Sequence, residues 1–186
     1  MVTGCCFMGG QMIYWSPMII TLRLIHILAG VFWTGTAIFT AVFLIPSIRA
    51  LGPGGGPVMQ QIAGVRKLPL YFMGAGILSI LSGIGLYSKA SGGFSNAWMH
   101  SGPGATFGIG AVFALAAMVV GMAVASPTAK RASELAGTIH GAGRPPSPEQ
   151  MAEMQRLQVR MGKASALGAG LLVLATAAMA IARYMP

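Results

Sequence analysis

Four stretches of this chain, about 18–48, 68–88, 106–126 and 164–184, are almost free of charge and each is long enough to cross a hydrocarbon core as a helix. A core of about 30 Å needs about 20 apolar residues at the rise of an α-helix. The pattern predicts an all-α integral membrane four-helix bundle, built as a single domain over residues 1–186. The first stretch exceeds the length a bilayer requires, so it must tilt or project.

Composition agrees. The chain is 55% hydrophobic and 8% charged, whereas a soluble domain carries about 25% charged residues. The net charge of +9 does not indicate nucleic acid, because the cations stand at the ends of apolar segments and form no cluster interleaved with aromatics. At such positions Lys and Arg orient helices in the bilayer. Arg49, Arg66, Lys67, Lys130, Arg131, Arg144, Arg156, Arg160 and Lys163 fall in the 1–2 and 3–4 connections, against Arg23, Lys89 and Arg183 elsewhere. Nine against three predicts both connections in the cytoplasm and both termini outside. No basic n-region precedes Arg23, so the first span is expected to serve as its own insertion signal.

The connections carry turn chemistry. LGPGGGP at 51–57 reads as a flexible break, and SGGFSNAWMHSGPG at 91–104 as a short polar turn. Before the fourth span, Ser147, Pro148 and Gln150 form a helix start with a capping box. An amphipathic helix over about 148–163 is expected to run from there into the span. Gly76, Ser79 and Gly83, then Gly110, Ala114, Ala117 and Gly121, then Ala164, Gly168 and Ala175 form small-residue stripes of the kind that let helices approach closely in lipid. Cys5 and Cys6 are adjacent and lack partner cysteines, which makes them incidental or, alternatively, a lipid or metal attachment point.

One ionisable residue stands well inside a span. On the first helix Leu22, His26, Ala29, Gly30, Trp33, Ala37 and Thr40 share a face, with Arg23 at its margin. The bilayer offers an imidazole no partner, so His26 must find one, in a haem iron, an interhelical hydrogen bond or another metal. Neutral imidazole, the form that suits hydrocarbon, is also the form that ligates metals. Ala29 and Gly30 leave a recess that a flat cofactor or a neighbouring helix could fill. A b-type haem on His26 would set its propionates near Arg23 and Arg183, with Trp33 as a wall and Tyr184 close by. Helix-end arginines also snorkel to a membrane rim with no ligand present. His100 is the topologically permitted second axial ligand, and Met99 or Met179 are other options. His140 falls in the 3–4 connection, where a solvated ring is expected.

Met118 and Met122, one turn apart, raise a copper-handling alternative, since thioethers suit Cu(I); methionine is also an ordinary core filler. No span contains an acidic residue, and the acids Glu134, Glu149 and Glu153 all lie in the 3–4 connection. No nucleophile motif, phosphate loop or HExxH is present, so the residues assign no reaction.

The segments LRLIHILAGVFWTGTAIF, IPSIRALGPGGGP, RKLPLYFMGAGILSILSGIGLY and AMAIARYMP resemble a group of bacterial four-helix membrane proteins without an assigned function. That group is more distantly similar to the copper-resistance protein D family, the membrane domain of cytochrome-linked urate oxidases and the HemJ type of protoporphyrinogen oxidase. The shared element is a first-span histidine followed by a Trp-x-Gly segment, here His26 and Trp33-Thr34-Gly35. The HemJ resemblance implies haem held by His26. The lysine used by that family has no aligned counterpart, Lys67 being nearest, so its reaction is not carried over. Three readings follow: a haem protein in electron transfer or redox sensing with a redox partner or larger complex, a copper-handling protein, and a cofactor-free accessory subunit of a larger membrane complex.

Overall fold

Four long helices account for most of the chain. They run Pro17–Ala50 (α1), Leu68–Ala90 (α2), Gly102–Ile139 (α3) and Pro148–Tyr184 (α4), and each is long and apolar enough to cross a membrane. A computed structural model describes residues 17–141 and 145–186, leaving aside the side chains of Pro53 and His140. Cys5, Cys6, the start of the chain and Arg144 lie outside the described residues. Among the described residues every regular element is helical.

Close approaches give the topology. Leu22, His26, Gly30 and Trp33 of α1 face Gly85, Gly83, Ser79 and Gly76 of α2, so the two helices run antiparallel. Gly110 of α3 lies against Ala178 and Met179 of α4, and Gly102 against Met185 and Pro186. Met118 reaches Gly76, which joins α3 to α2. Thr34 and Thr176 meet at 3.4 Å, which joins α4 to α1. The helices therefore form a square in the order α1–α2–α3–α4, with α1 and α3 on one diagonal.

The interior is narrow and the outside is greasy. Trp33, Ala37, Ala117, Ala169 and Leu172 form the buried centre. Large apolar side chains such as Leu28, Val31, Leu70, Leu81 and Val112 are more than 60% exposed. In water so much open apolar surface would be unstable, whereas lipid tails are a suitable solvent for it. Small residues at the centre let the backbones come close enough for dispersion contacts to hold the bundle.

Prolines leave a repeated mark. α1 contains a π-helical turn at Thr40–Leu44 before Pro46, and α3 one at Gly121–Ala125 before Pro127, each at the same offset. Proline lacks an N–H and its ring clashes with the carbonyl four residues back; widening the preceding turn accommodates both.

The 1–2 connection departs from the expected flexible break. Gly52 at φ 54° ends α1, after which Gly55–Met59 and Gln60–Val65 are short helical pieces. Gly55 is buried because its Cα sits on the Ile48 carbonyl, where a side chain would collide. That contact holds a glycine-rich segment in a helical shape its composition disfavours. Lys67, at φ 54°, adopts the left-handed conformation and its carbonyl accepts the Leu70 N–H at 2.9 Å as α2 begins. In the 2–3 turn the Tyr87 hydroxyl donates to the Gly104 carbonyl at 3.1 Å, and its ring meets Trp98 edge-on at 5.2 Å.

α3 does not stop where its apolar run ends. Its helix continues through Ser126–Gly141, with Thr128 and Leu135 buried, and Arg131 Nε donates to Glu153 of α4 at 2.9 Å. α4 starts with the expected capping box: the Ser147 hydroxyl accepts from the Gln150 N–H, and the Gln150 side chain accepts from the Ser147 N–H. It then runs unbroken from Pro148 to Ile181. With 38 and 37 residues, α3 and α4 are each about 55 Å long. Paired, they extend well past a hydrocarbon core of about 30 Å at the end opposite the described C-terminus.

Candidate functional site

His26 sits between α1 and α2. Its Nδ1 lies 2.8 Å from the Ser79 carbonyl, 53 positions away in the chain. A carbonyl can only accept, so Nδ1 carries a proton, and in the neutral ring Nε2 carries the lone pair. The Ser82 hydroxyl is 3.5 Å from Nδ1 and donates to the carbonyls of Leu78 at 2.6 Å and Ser79 at 3.1 Å. Ser79 and Ser82 are buried and the imidazole is half-buried.

Side-chain sizes on the two helices are complementary at this point. A Cβ at Gly83 would lie 2.9 Å from His26 Cε1, so the ring rests directly on that glycine. A Cβ at Gly30 would lie 3.4 Å from the Ser79 hydroxyl. A Cβ at Gly76 would lie 2.9 Å from Trp33 Cε2. Each large group on one helix thus meets a small one on the other. The stripe Gly76, Ser79 and Gly83 is the partner of the His26 face. The stripe and the histidine are each visible in the sequence, but their pairing and the role of the Ser79 carbonyl are announced by no side-chain pattern.

The remaining residues of the expected site are distributed as follows. The recess beside Gly30 is occupied by Ser79. Trp33 is 3% exposed and packs edge-on against Phe72, in the bundle centre. Arg23 is exposed and lines a shallow groove of about 230 Å³ with Ile19, Ile20, Leu24 and Ile27. Arg183 and Tyr184 are exposed at the end of α4. Neither arginine hydrogen-bonds to His26, whose described partners are Ser79 and Ser82. His100 is exposed, with Nδ1 2.9 Å from the Asn96 carbonyl of its own turn.

Met99 is exposed, and Met179 packs against Gly110. Met118 reaches Gly76 beside the core, whereas Met122 is 52% exposed. Among the described residues no three His, Cys, Asp or Glu side chains come together.

Fold and site together define an all-helical bundle with four helices suited to crossing a membrane and a histidine clasped between two of them. No family model, no curated protein and no solved structure matches the chain.

Proposed function

We propose that this protein is a multi-pass protein of the bacterial cytoplasmic membrane, with both termini outside, that binds one b-type haem through Nε2 of His26. Its role in this reading is electron transfer or redox sensing, with a redox partner or a larger membrane complex. One observation carries the proposal: Nδ1–H is tied to the Ser79 carbonyl at 2.8 Å. Metal-ligating histidines are held in this way, with one ring N–H on a carbonyl so that the other nitrogen presents its lone pair. Ser79, Ser82 and Gly83 take the α2 side of the ring, which stays half-buried between the two helices. Haem would supply one-electron redox chemistry, and Arg23 and Arg183, both without an ion-pair partner among the described residues, are available to its propionates.

The test is an absorption spectrum of the protein in mild detergent after expression with ample haem. A Soret band that vanishes in His26→Ala and persists in His100→Ala is expected. A colourless wild-type protein defeats the proposal.

A second reading is favoured by the same Nδ1–Ser79 bond, which gives the ring a protein partner with no ligand needed, and by the occupation of the Gly30 recess by Ser79. In it the clasp is purely structural and the chain is a cofactor-free accessory subunit. That reading expects a colourless, metal-free protein that co-purifies with larger membrane subunits. Stoichiometric copper in a colourless protein would instead support copper handling.

A further inference from the structure

A cleft away from His26 lies between the middle of α3 and the first half of α4. It is an open groove of about 720 Å³. Its lining changes along the helix axes, with Ala152 and Val159 interspersed with the cations. Arg156, Arg160 and Lys163 line the part further from the apolar spans, and Val120, Val124 and Leu167 line the part that enters them.

The three cations are all exposed, and among the described residues none makes an ion pair. The chain cannot easily supply their counter-charge. Of its three acids, Glu134 and Glu153 face Arg131, and Glu149 stands in the first turn of α4. From Arg156 to Lys163 the cationic part spans about 10 Å. An occupant must therefore be anionic at one end and apolar at the other, with its long axis along the helices.

We infer that this cleft binds an anionic phospholipid, with its phosphate headgroup on Arg156, Arg160 and Lys163 and acyl chain along Val120, Val124 and Leu167. Basic pockets between helices at the cytoplasmic surface recognise acidic headgroups through charge, and the acyl chain follows the apolar wall into the bilayer. An inorganic anion would use only the cations and leave the apolar half uncovered. The inference rests on the membrane placement proposed above and is independent of haem.

Native mass spectrometry of the full chain in mild detergent tests it, with phosphatidylglycerol and phosphatidylcholine of identical acyl chains as probes. Wild type is expected to retain one phosphatidylglycerol with at least a tenfold preference. The triple variant Arg156→Gln, Arg160→Gln, Lys163→Gln should lose that preference. Arg156→Lys with Arg160→Lys should keep it, and Val124→Phe, which fills the apolar half, should weaken retention with the charges intact.

Equal retention of the two lipids by wild type overturns the inference, as does a preference that survives the triple variant. So does displacement by millimolar inorganic phosphate alone, or a lipid-free dimer that the triple variant abolishes. Carbonate extraction of membranes separates the two proposals. A chain released by carbonate refutes the membrane placement and this site together; a chain retained without lipid preference refutes only the site. The His26→Ala spectrum is read separately, since no cleft residue contacts His26.

Discussion

The indole of Trp33 occupies the volume that a side chain at Gly76 would need. A Cβ there would lie 2.9 Å from Trp33 Cε2 and 2.7 Å from the Met118 methyl. The methionine end can swing away, but the ring is held by Phe72 and the buried alanines of the core. Gly76→Ala is expected to cost about 1–3 kcal/mol by overpacking. Trp33→Ala should cost about 3–5 kcal/mol through the cavity it leaves. In the double variant the penalties should fall short of their sum, because the new methyl finds room where the indole was. Unfolding in mixed micelles, followed by circular dichroism, measures all three; strict additivity would mean that the two residues do not compete for space.

His26 and Gly83 form a second such pair. His26→Ala removes the bond to Ser79, and interhelical hydrogen bonds in bilayers are worth about 0.6–2 kcal/mol. Gly83→Ala keeps the donor but pushes a methyl toward Cε1, so it should be at least as destabilising as His26→Ala. If haem is bound, the Soret maximum should also move in Gly83→Ala. A Gly83→Ala protein as stable as wild type would show that the ring is not seated on residue 83.

The π-helical turns make deletions unequal. A π turn carries one extra residue relative to an α-helix, so deleting Val42 from Thr40–Leu44 lets that turn return to α geometry and keeps the register with α2, at the cost of restoring the Pro46 ring clash. Deleting Leu28 instead rotates His26 by about 100° relative to Trp33 and breaks the register with α2. The Val42 deletion should run as a monodisperse species on size exclusion in detergent, and the Leu28 deletion should aggregate. The opposite order would refute a compensating role for the π turn.

At the projecting hairpin, local capping should outweigh the ion pair. Ser147→Ala removes half of the capping box and should cost about 0.5–2 kcal/mol. Glu153→Gln breaks the pair with Arg131, whose side chains are 58% and 41% exposed, and should cost less than about 1 kcal/mol. Hydrogen exchange over 145–155 should rise in Ser147→Ala and change little in Glu153→Gln.

The capping box at Ser147 was legible because each of its parts lies within three residues of the next. The helical run of α3 past Ser126 was not, since it depends on Thr128 and Leu135 being covered by α4 and on Pro127 being absorbed by a π turn. The small-residue stripes were legible as packing surfaces, but their members diverge. Gly76, Gly83 and Gly110 carry close contacts, whereas a Cβ at Gly121 or Gly168 would meet nothing within 4 Å. Periodicity names a face, and only the neighbouring helix determines which part of that face is covered.

The amino-acid order by itself determined that four helices long and apolar enough for a membrane would form, because hydropathy and backbone satisfaction in lipid act within a segment of about 20 residues. It also singled out His26 as needing a partner. Tertiary structure alone decided that the partner is the Ser79 carbonyl, that Ser79 fills the recess beside Gly30, and that Trp33 belongs to the core. Those outcomes depend on the register of α1 against α2. That register is set by large side chains meeting small ones some 50 positions away, a match that no local pattern encodes.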